Sequence, residues 1–171
     1  MSPPLIFSHG KDSEPWGGKI SAMAQIARRR ELQVESIDYR GIDDPLARVA
    51  KLLAYCKTVS EPPILIGSSM GGYVSAAVSS QVSTRALFLL APAFFMPGYE
   101  LYTPVPAQCP ISIVHGWNDD IVPVENTIRF AKMYKSELHL LDSDHRLTAD
   151  IEQICELLDS FLARVLSAAK P

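Results

Sequence analysis

The chain has 171 residues, a formal net charge of −3 and an isoelectric point near 5.8. Hydrophobic residues make up 47% of it and charged residues 20%, proportions that are typical of globular proteins and not of disordered or fibrous chains. A chain of this length can bury one hydrophobic core, and no linker divides it, so a single domain over residues 1–171 is expected. The slightly acidic balance gives no reason to expect a nucleic acid as partner.

Residues 1–6 lack the basic region and long apolar run of a leader, and no stretch approaches the roughly 18 apolar residues that span a bilayer. A cytoplasmic location with no membrane partner is therefore expected. The cysteines Cys56, Cys109 and Cys155 are far apart and have no metal-ligand spacing, which predicts reduced thiols and no metal site. The one basic cluster, residues 28–30, falls near the end of a predicted helix; a nucleic-acid or membrane patch is the less favoured interpretation.

Short aliphatic runs alternate with stretches of helical periodicity, a pattern that predicts parallel βαβ units. Most of the predicted strands are apolar throughout, as expected for strands that are covered on both faces. The six strands are predicted at residues 4–8, 34–39, 64–68, 86–91, 111–115 and 138–141.

Apolar stripes with helical spacing predict the helices that pack on this sheet. Asp44 followed by Pro45 predicts the N-cap and first residue of the second helix. Another helix is expected from about Gly71 to Val82. The stripes are Ile20, Met23, Ala24 and Ala27; Leu46, Val49, Ala50 and Leu53; and Ile151, Ile154, Cys155, Leu158, Phe161, Leu162 and Val165.

The segment from Pro92 to Pro110 contains five prolines, which exclude a long helix. It also carries the aromatic residues Phe94, Phe95, Tyr99 and Tyr102. Two interpretations are open: these side chains cover an edge of the core, or they line an acyl pocket.

A G-x-S-x-G motif directly follows the third strand, at residues 67–71. In a strand-turn-helix context this motif is a nucleophile elbow. Ser69 would sit in a strained turn, and Gly67 and Gly71 would remove side chains that clash there. The backbone N–H of Met70, at the start of the next helix, would point at a developing oxyanion. A glycine-rich turn that only permits close packing is the alternative.

The first strand ends in His9-Gly10-Lys11, and a loop at this position can supply the second N–H of an oxyanion hole. We expect that N–H to come from Lys11, or else from Gly10. His9 is expected to hydrogen-bond the loop, and Trp16 further along it is a candidate for the substrate pocket.

Two further loops supply an acid and a base. Asp119 and Asp120 follow the fifth strand, and spacing favours Asp119 as the carboxylate that orients a histidine. His145 follows the sixth strand and is the candidate general base, whereas His115 and His139 are expected to be structural. Strand ends of a parallel sheet meet at one edge, so Ser69, Asp119 and His145 should lie together.

The nucleophile, acid and base occur in the chain order of the α/β-hydrolase superfamily, and at these motifs the sequence resembles compact bacterial members of it. The segment HGWNDDIVP is similar to the family's H-G-x-x-D-x-x-V-P stretch. The resemblance implies a minimal α/β-hydrolase fold, a three-layer sandwich with a six-stranded all-parallel sheet. It also implies a Ser69–Asp119–His145 triad and an oxyanion hole from the Met70 and Lys11 amides.

The expected activity is hydrolysis of a small ester or thioester through an acyl-enzyme, with no cofactor. The proline-rich segment is too short for a helical cap, so an open site and small acyl groups are expected. The pocket would be lined by Trp16, Phe94 and Phe95. A hydrolase-like binding protein with little or no catalysis is the alternative.

Overall fold

The computed structural model describes residues 1–98 and 104–168. Strands and helices alternate along these residues except between the fourth and fifth strands, where the described residues form no helix. A single turn of 3₁₀ helix, Thr148–Asp150, precedes the last helix. The elements are β1 (Leu5–Ser8), α1 (Gly18–Arg29), β2 (Val34–Ile37), α2 (Pro45–Cys56), β3 (Ile64–Ser68), α3 (Met70–Ser79), β4 (Ala86–Leu90), β5 (Ile111–Gly116), α4 (Val124–Tyr134), β6 (Glu137–Leu141) and α5 (Ile151–Ser167).

All six strands form one sheet in the order β2-β1-β3-β4-β5-β6, and every pair is parallel. This confirms the predicted six-stranded all-parallel sheet. The chain moves outward from β1 to β2 and then crosses back to place β3 on the other side of β1. The carboxyl ends of β1 and β3 therefore flank the point where the strand order reverses, which is where open α/β sheets bind their ligands.

The sheet separates two apolar clusters, because successive side chains of a strand point to opposite faces. On β1, Leu5 and Phe7 pack with residues of α1 and α5, whereas Ile6 packs with residues of α2, α3 and α4. Helices thus cover both faces and form the three layers that were predicted. The stripe predicted for α1 is buried as expected, and so are Ile154, Leu158, Phe161, Leu162 and Val165 of α5.

The predicted inner face of α2 was right at Val49 and Leu53, which are partly buried against the core, and wrong at Leu46 and Ala50. The buried line of this helix is Arg48, Leu52 and Cys56; Leu46 is 45% exposed and Ala50 is also exposed. Periodicity alone assigns a charged residue to the outer face. Arg48 is turned inward because backbone carbonyl groups receive its guanidinium.

Helix α4 was not predicted. Its buried residues are Val124, Thr127, Phe130 and Ala131, so a polar side chain stands in the middle of a short apolar stripe. Lys135 ends the helix in the left-handed region, at φ 52° and ψ 42°.

Strand β2 is shorter than predicted and ends at Ile37. The backbone N–H of Tyr39 donates to His9 Nε2 at 2.9 Å, so a side chain of the neighbouring loop takes the place of a strand partner. Helix α3 ends at Ser79 and not at Val82.

The three cysteines carry no disulfide, as predicted. Arg28 and Arg29 lie in the last turn of α1, also as predicted, and Arg30 pairs with Asp159 at 2.7 Å.

Within residues 1–98 and 104–168, none of the helices combines the length and apolar character of a membrane-spanning segment.

The start of α2 provides a test of the helix-capping assignment. The Asp44 carboxylate accepts the N–H of Ala47 at 3.0 Å, and Pro45 is the first helical residue. We expect Asp44→Ala to lower the free energy of unfolding by about 1 kcal/mol, because an orphan helix N–H loses its partner. Urea denaturation with Asp43→Ala as the matched control measures it; equal losses in both variants would contradict the assignment.

Candidate functional site

The candidate site is built from loops at the carboxyl ends of β1, β3, β5 and β6. Those ends lie at one edge because all strands are parallel. β3 and β1 are neighbours at the reversal of strand order, and β5 and β6 are neighbours further along. The site therefore combines loops from two pairs of neighbouring strands, which are separated by β4.

Ser69 stands alone between β3 and α3, with φ 52° and ψ −117°. This conformation is strained for a residue with a side chain. The two nearby glycines permit it: a methyl group at Gly67 would collide with the carbonyl of Gly71, and one at Gly71 would collide with the carbonyl of Ser8. The turn is the strand-turn-helix geometry expected for these residues, and it leads the chain directly into the first turn of α3.

The three residues predicted as nucleophile, base and acid are brought into one hydrogen-bonded line. Ser69 Oγ lies 3.1 Å from His145 Nε2, and His145 Nδ1 lies 2.7 Å from Asp119 Oδ2. The His145 side chain is 19% exposed, whereas that of Asp119 is fully buried. His145 is 26 positions from Asp119 and 76 positions from Ser69 in the chain, so only the tertiary fold assembles them.

The structure distinguishes the two adjacent carboxylates that the sequence left open. Asp119 Oδ1 accepts the backbone N–H groups of Ile121 and Val122 at 2.9 and 2.8 Å, while its Oδ2 faces His145. Asp120 is exposed. The turn holds only Asp119 in contact with the imidazole.

His115 was expected to be structural, and it supports the acid from behind. Its ring is fully buried, with Nε2 3.0 Å from the carbonyl of Val122 and 3.1 Å from Asp119 Oδ2. Both of these partners are acceptors, so Nε2 carries the proton and Nδ1 accepts from the hydroxyl of Thr127 at 2.8 Å. Asp119 thus accepts hydrogen bonds from His145 and two backbone amides, and His115 lies against it.

The loops that carry the acid and the base are tied to each other. Asn118 Nδ2 donates to Asp142 at 2.7 Å, and the Asn118 N–H donates to the carbonyl of Ser143 at 3.0 Å. A methyl group at Gly116 would collide with that same Ser143 carbonyl. Asn118 and Gly116 were not singled out from the sequence, because their partners are remote in the chain.

The loop after β1 lies against the nucleophile. A methyl group on Gly10 would lie 3.6 Å from Ser69 Cβ, an ordinary van der Waals contact. His9 hydrogen-bonds the loop as expected, with Nδ1 2.7 Å from the Gly10 carbonyl. Lys11 is exposed. Met70 is the first residue of α3, where a helix has no internal acceptor for the N–H.

The three predicted pocket residues differ in burial and in the groups that they contact. Phe94 is fully buried and stacks on Phe130 with ring centroids 4.0 Å apart, so it belongs to the core. Phe95 is half-buried under the guanidinium of Arg129, 4.0 Å from the ring centroid. Trp16 is 42% exposed and lies against Arg28. A pocket shared by these three rings stays a prediction.

Tyr99 and Tyr102 lie outside the described residues. Two cavities of about 500 and 350 Å³ adjoin Cys109, Pro110 and Ile111, at the amino end of β5 and so at the opposite edge from His145. Among residues 1–98 and 104–168, no cluster of three or more His, Cys, Asp and Glu residues could hold a metal ion.

Comparisons with known proteins agree with this architecture. A protein of the α/β-hydrolase superfamily from Xanthomonas campestris superposes with a TM-score of 0.89 at 33% identity, covering 95% of this chain and 99% of that one. Est1E from Butyrivibrio proteoclasticus superposes with a TM-score of 0.83 at 20% identity, covering 97% and 89% of the two chains.

Curated relatives are more distant. Palmitoyl-protein thioesterase ABHD10, a mitochondrial protein, is 22% identical in rat over 96% of this chain and 76% of that protein. In cattle the match is 30% identical over 71 residues, which cover 38% of this chain and only 23% of the relative. A family model described as "Uncharacterised protein family (UPF0227)" matches residues 4–105. The chain belongs to the α/β-hydrolase superfamily and to family UPF0227.

Buried histidines near the site predict a pH dependence of stability. Burial lowers the pKa of His9 and of His115 below 6.5. The unfolded chain therefore takes up protons that the folded chain excludes, so the free energy of unfolding falls as the pH drops through 6.5 towards the folded-state pKa. Urea denaturation at about pH 7.5 and about pH 5.5 measures this; equal stability at both would contradict it.

Proposed function

We propose that the chain is a serine hydrolase that cleaves a small ester or thioester through Ser69, His145 and Asp119. The observation that carries the proposal is the continuous line from Ser69 Oγ through both ring nitrogens of His145 to Asp119, at 3.1 and 2.7 Å. A nucleophile, a base in hydrogen-bond reach and a group that orients the base are the parts that acyl transfer requires.

In the proposed reaction Ser69 Oγ attacks the substrate carbonyl carbon while His145 Nε2 takes the hydroxyl proton. The imidazolium returns that proton to the departing alcohol or thiol, which leaves an acyl group on Ser69. Water, deprotonated by His145, then attacks the acyl carbon. The bond from Ser69 Oγ to the acyl carbon breaks, the imidazolium returns its proton to Ser69 Oγ, and the acid is released. Asp119 keeps the proton on Nδ1 and stabilises the imidazolium.

The negative charge of the tetrahedral intermediate needs hydrogen-bond donors. We assign this role to the backbone N–H groups of Met70 and Lys11. The position of Met70 as the first residue of α3 supports the assignment, and so does the closeness of Gly10 to the nucleophile, since a methyl group added to Gly10 would lie 3.6 Å from Ser69 Cβ. The side chain of Lys11 takes no part in it.

An ester or thioester substrate fits the relatives. The rat relative is named a palmitoyl-protein thioesterase, and a ferulic acid complex of Est1E superposes with a TM-score of 0.81 at 18% identity.

Residues 92–98 and 104–110 form no helix in the structure, which supports an open site and small acyl groups.

Fluorophosphonate labelling tests the nucleophile without a choice of substrate. We expect one adduct, mapped to Ser69 by mass spectrometry, and turnover of acetate and butyrate esters, because His145 activates this hydroxyl. Ser69→Ala should lose both, whereas Ser68→Ala, one position away, should keep both. A folded wild-type protein that stays unlabelled would refute the proposal and favour a binding function.

Substitution of the acid tests the orienting role. Asp119→Asn should lower kcat on the order of 10⁴-fold with the fold retained, because an amide favours the wrong imidazole tautomer. The neighbouring Asp120→Asn is the matched control and should retain near wild-type kcat. Steady-state kinetics of a short-chain ester measure both, and the reverse result would show that the acid has been misassigned.

A further inference from the structure

A buried arginine lies beneath the loop that follows β1. Arg48 of α2 is 1% exposed, and its guanidinium donates to the carbonyls of three successive loop residues. Nη1 donates to His9 at 3.1 Å and to Gly10 at 3.2 Å, and Nη2 donates to Lys11 at 3.3 Å. Nε donates to the carbonyl of Ile42 at 2.7 Å.

Two aromatic residues complete this support. Arg48 Cζ lies 5.1 Å from the ring centroid of Tyr39. The Tyr39 N–H donates to His9 Nε2 at 2.9 Å, which fixes the tautomer because an accepting nitrogen carries no proton. His9 Nδ1–H therefore donates to the Gly10 carbonyl at 2.7 Å. We call His9, Tyr39 and Arg48 the loop anchor.

The loop anchor determines the direction of the loop's N–H groups through the geometry of the peptide bond. In a planar trans peptide the carbonyl of one residue and the N–H of the next point in opposite directions, and the described residues contain no cis peptide. Because the His9 and Gly10 carbonyls are held towards Arg48, the N–H groups of Gly10 and Lys11 are held away from it.

A buried guanidinium is a costly way to fill space in a core. Removing a charge from water is unfavourable unless hydrogen bonds replace the lost hydration, and an apolar residue would pack α2 against the sheet at lower cost. The converging carbonyls recover that cost at Arg48, and they belong to the loop in contact with Ser69.

We infer that Arg48 is a positioning residue for the oxyanion hole: with His9 it holds the peptide groups of residues 9–11 so that the Lys11 N–H faces the developing oxyanion. This inference rests on the proposed function and adds a residue that touches neither substrate nor Ser69. Without the anchor the Gly10–Lys11 peptide is free to rotate, and its carbonyl can then point at the oxyanion.

The test compares Arg48→Lys, which keeps the charge but loses the forked set of donors, with Arg85→Lys. Arg85 is a matched control because its guanidinium also donates to backbone carbonyls, those of Val165 and Ala168 at 2.8 and 2.7 Å, at the opposite edge of the sheet. Both variants are first compared with wild type by circular dichroism and urea denaturation.

For Arg48→Lys we expect kcat on a short-chain ester to fall about 10²-fold, the size of the loss of one oxyanion donor, with KM changed little. Affinity for a trifluoromethyl ketone, which forms a tetrahedral adduct, should fall by a similar factor, while affinity for the carboxylic acid product should not. Arg85→Lys should change none of these. A folded Arg48→Lys variant with wild-type kcat and ketone affinity would overturn the inference.

A pair of variants at His9 tests the same inference if Arg48→Lys does not fold. Asparagine mimics the Nδ1 donor of histidine and glutamine mimics the Nε2 group. We expect His9→Gln, which loses the bond to the Gly10 carbonyl, to lower kcat and ketone affinity together, and His9→Asn, which keeps that bond and loses the one from the Tyr39 N–H, to lower both much less. Equal values in the two variants would overturn the inference.

The two proposals fail in different ways. If wild type is neither labelled nor active, the proposed function fails and the role of Arg48 falls with it. If wild type is labelled at Ser69 and turns over esters, but the folded Arg48 and His9 variants behave like wild type, only the role of Arg48 is refuted.

Discussion

The turn at Ser69 is the constraint on which the rest of the site depends. A residue with a side chain is held at positive φ between a buried strand and a helix, and this is possible only because Gly67 and Gly71 let backbones meet without side chains between them. The same close approach places the start of α3 against the end of β1. The loop after β1 thereby lies beside the nucleophile, and a change that opened the turn would move the loop and Ser69 relative to each other.

Two buried polar groups support this turn from opposite sides. On one side His115 and two backbone amides hold Asp119, so the carboxylate that faces His145 has its remaining acceptor sites occupied. On the other side Arg48 holds the loop after β1 by its carbonyls. Such networks rigidify a structure when every member is satisfied, and rigid placement of donors is what electrostatic stabilisation of a transition state needs.

The structure and the relatives support different parts of the proposal. Superposition at 33% identity over nearly the full length of both chains supports the superfamily, and the more distant matches support the fold. A fold hosts many sites, and the site defines the chemistry. The superfamily therefore follows from the fold, and the proposed acyl transfer follows from the hydrogen-bonded line.

Local pattern predicted most of the fold. Short runs that are mostly apolar, separated by helical stretches, predict a parallel sheet, because continuous hydrophobicity is typical of strands that are buried on both faces. The motif at Ser69 was recognised because the turn needs a serine with a glycine two positions before it and two positions after it, and these three residues lie within five consecutive positions. The pattern failed where a polar residue is buried for a remote partner. Arg48 shifts the buried face of α2 away from Leu46 and Ala50, and Thr127, bonded to His115, interrupts the stripe of α4.

The sequence by itself determined the strands, the elbow and the candidate residues, since these follow from periodicity and from steric rules that act over a few neighbours. Spacing already favoured Asp119 over Asp120, but tertiary structure alone decided the contact of this carboxylate with His145, since Asp119 and His145 are far apart in the chain. It also decided that Phe94 belongs to the core and that Arg48 reaches the loop after β1. Hydrogen bonds between residues far apart in the chain leave no periodic signal, and they become visible only when the sheet brings its strand ends together.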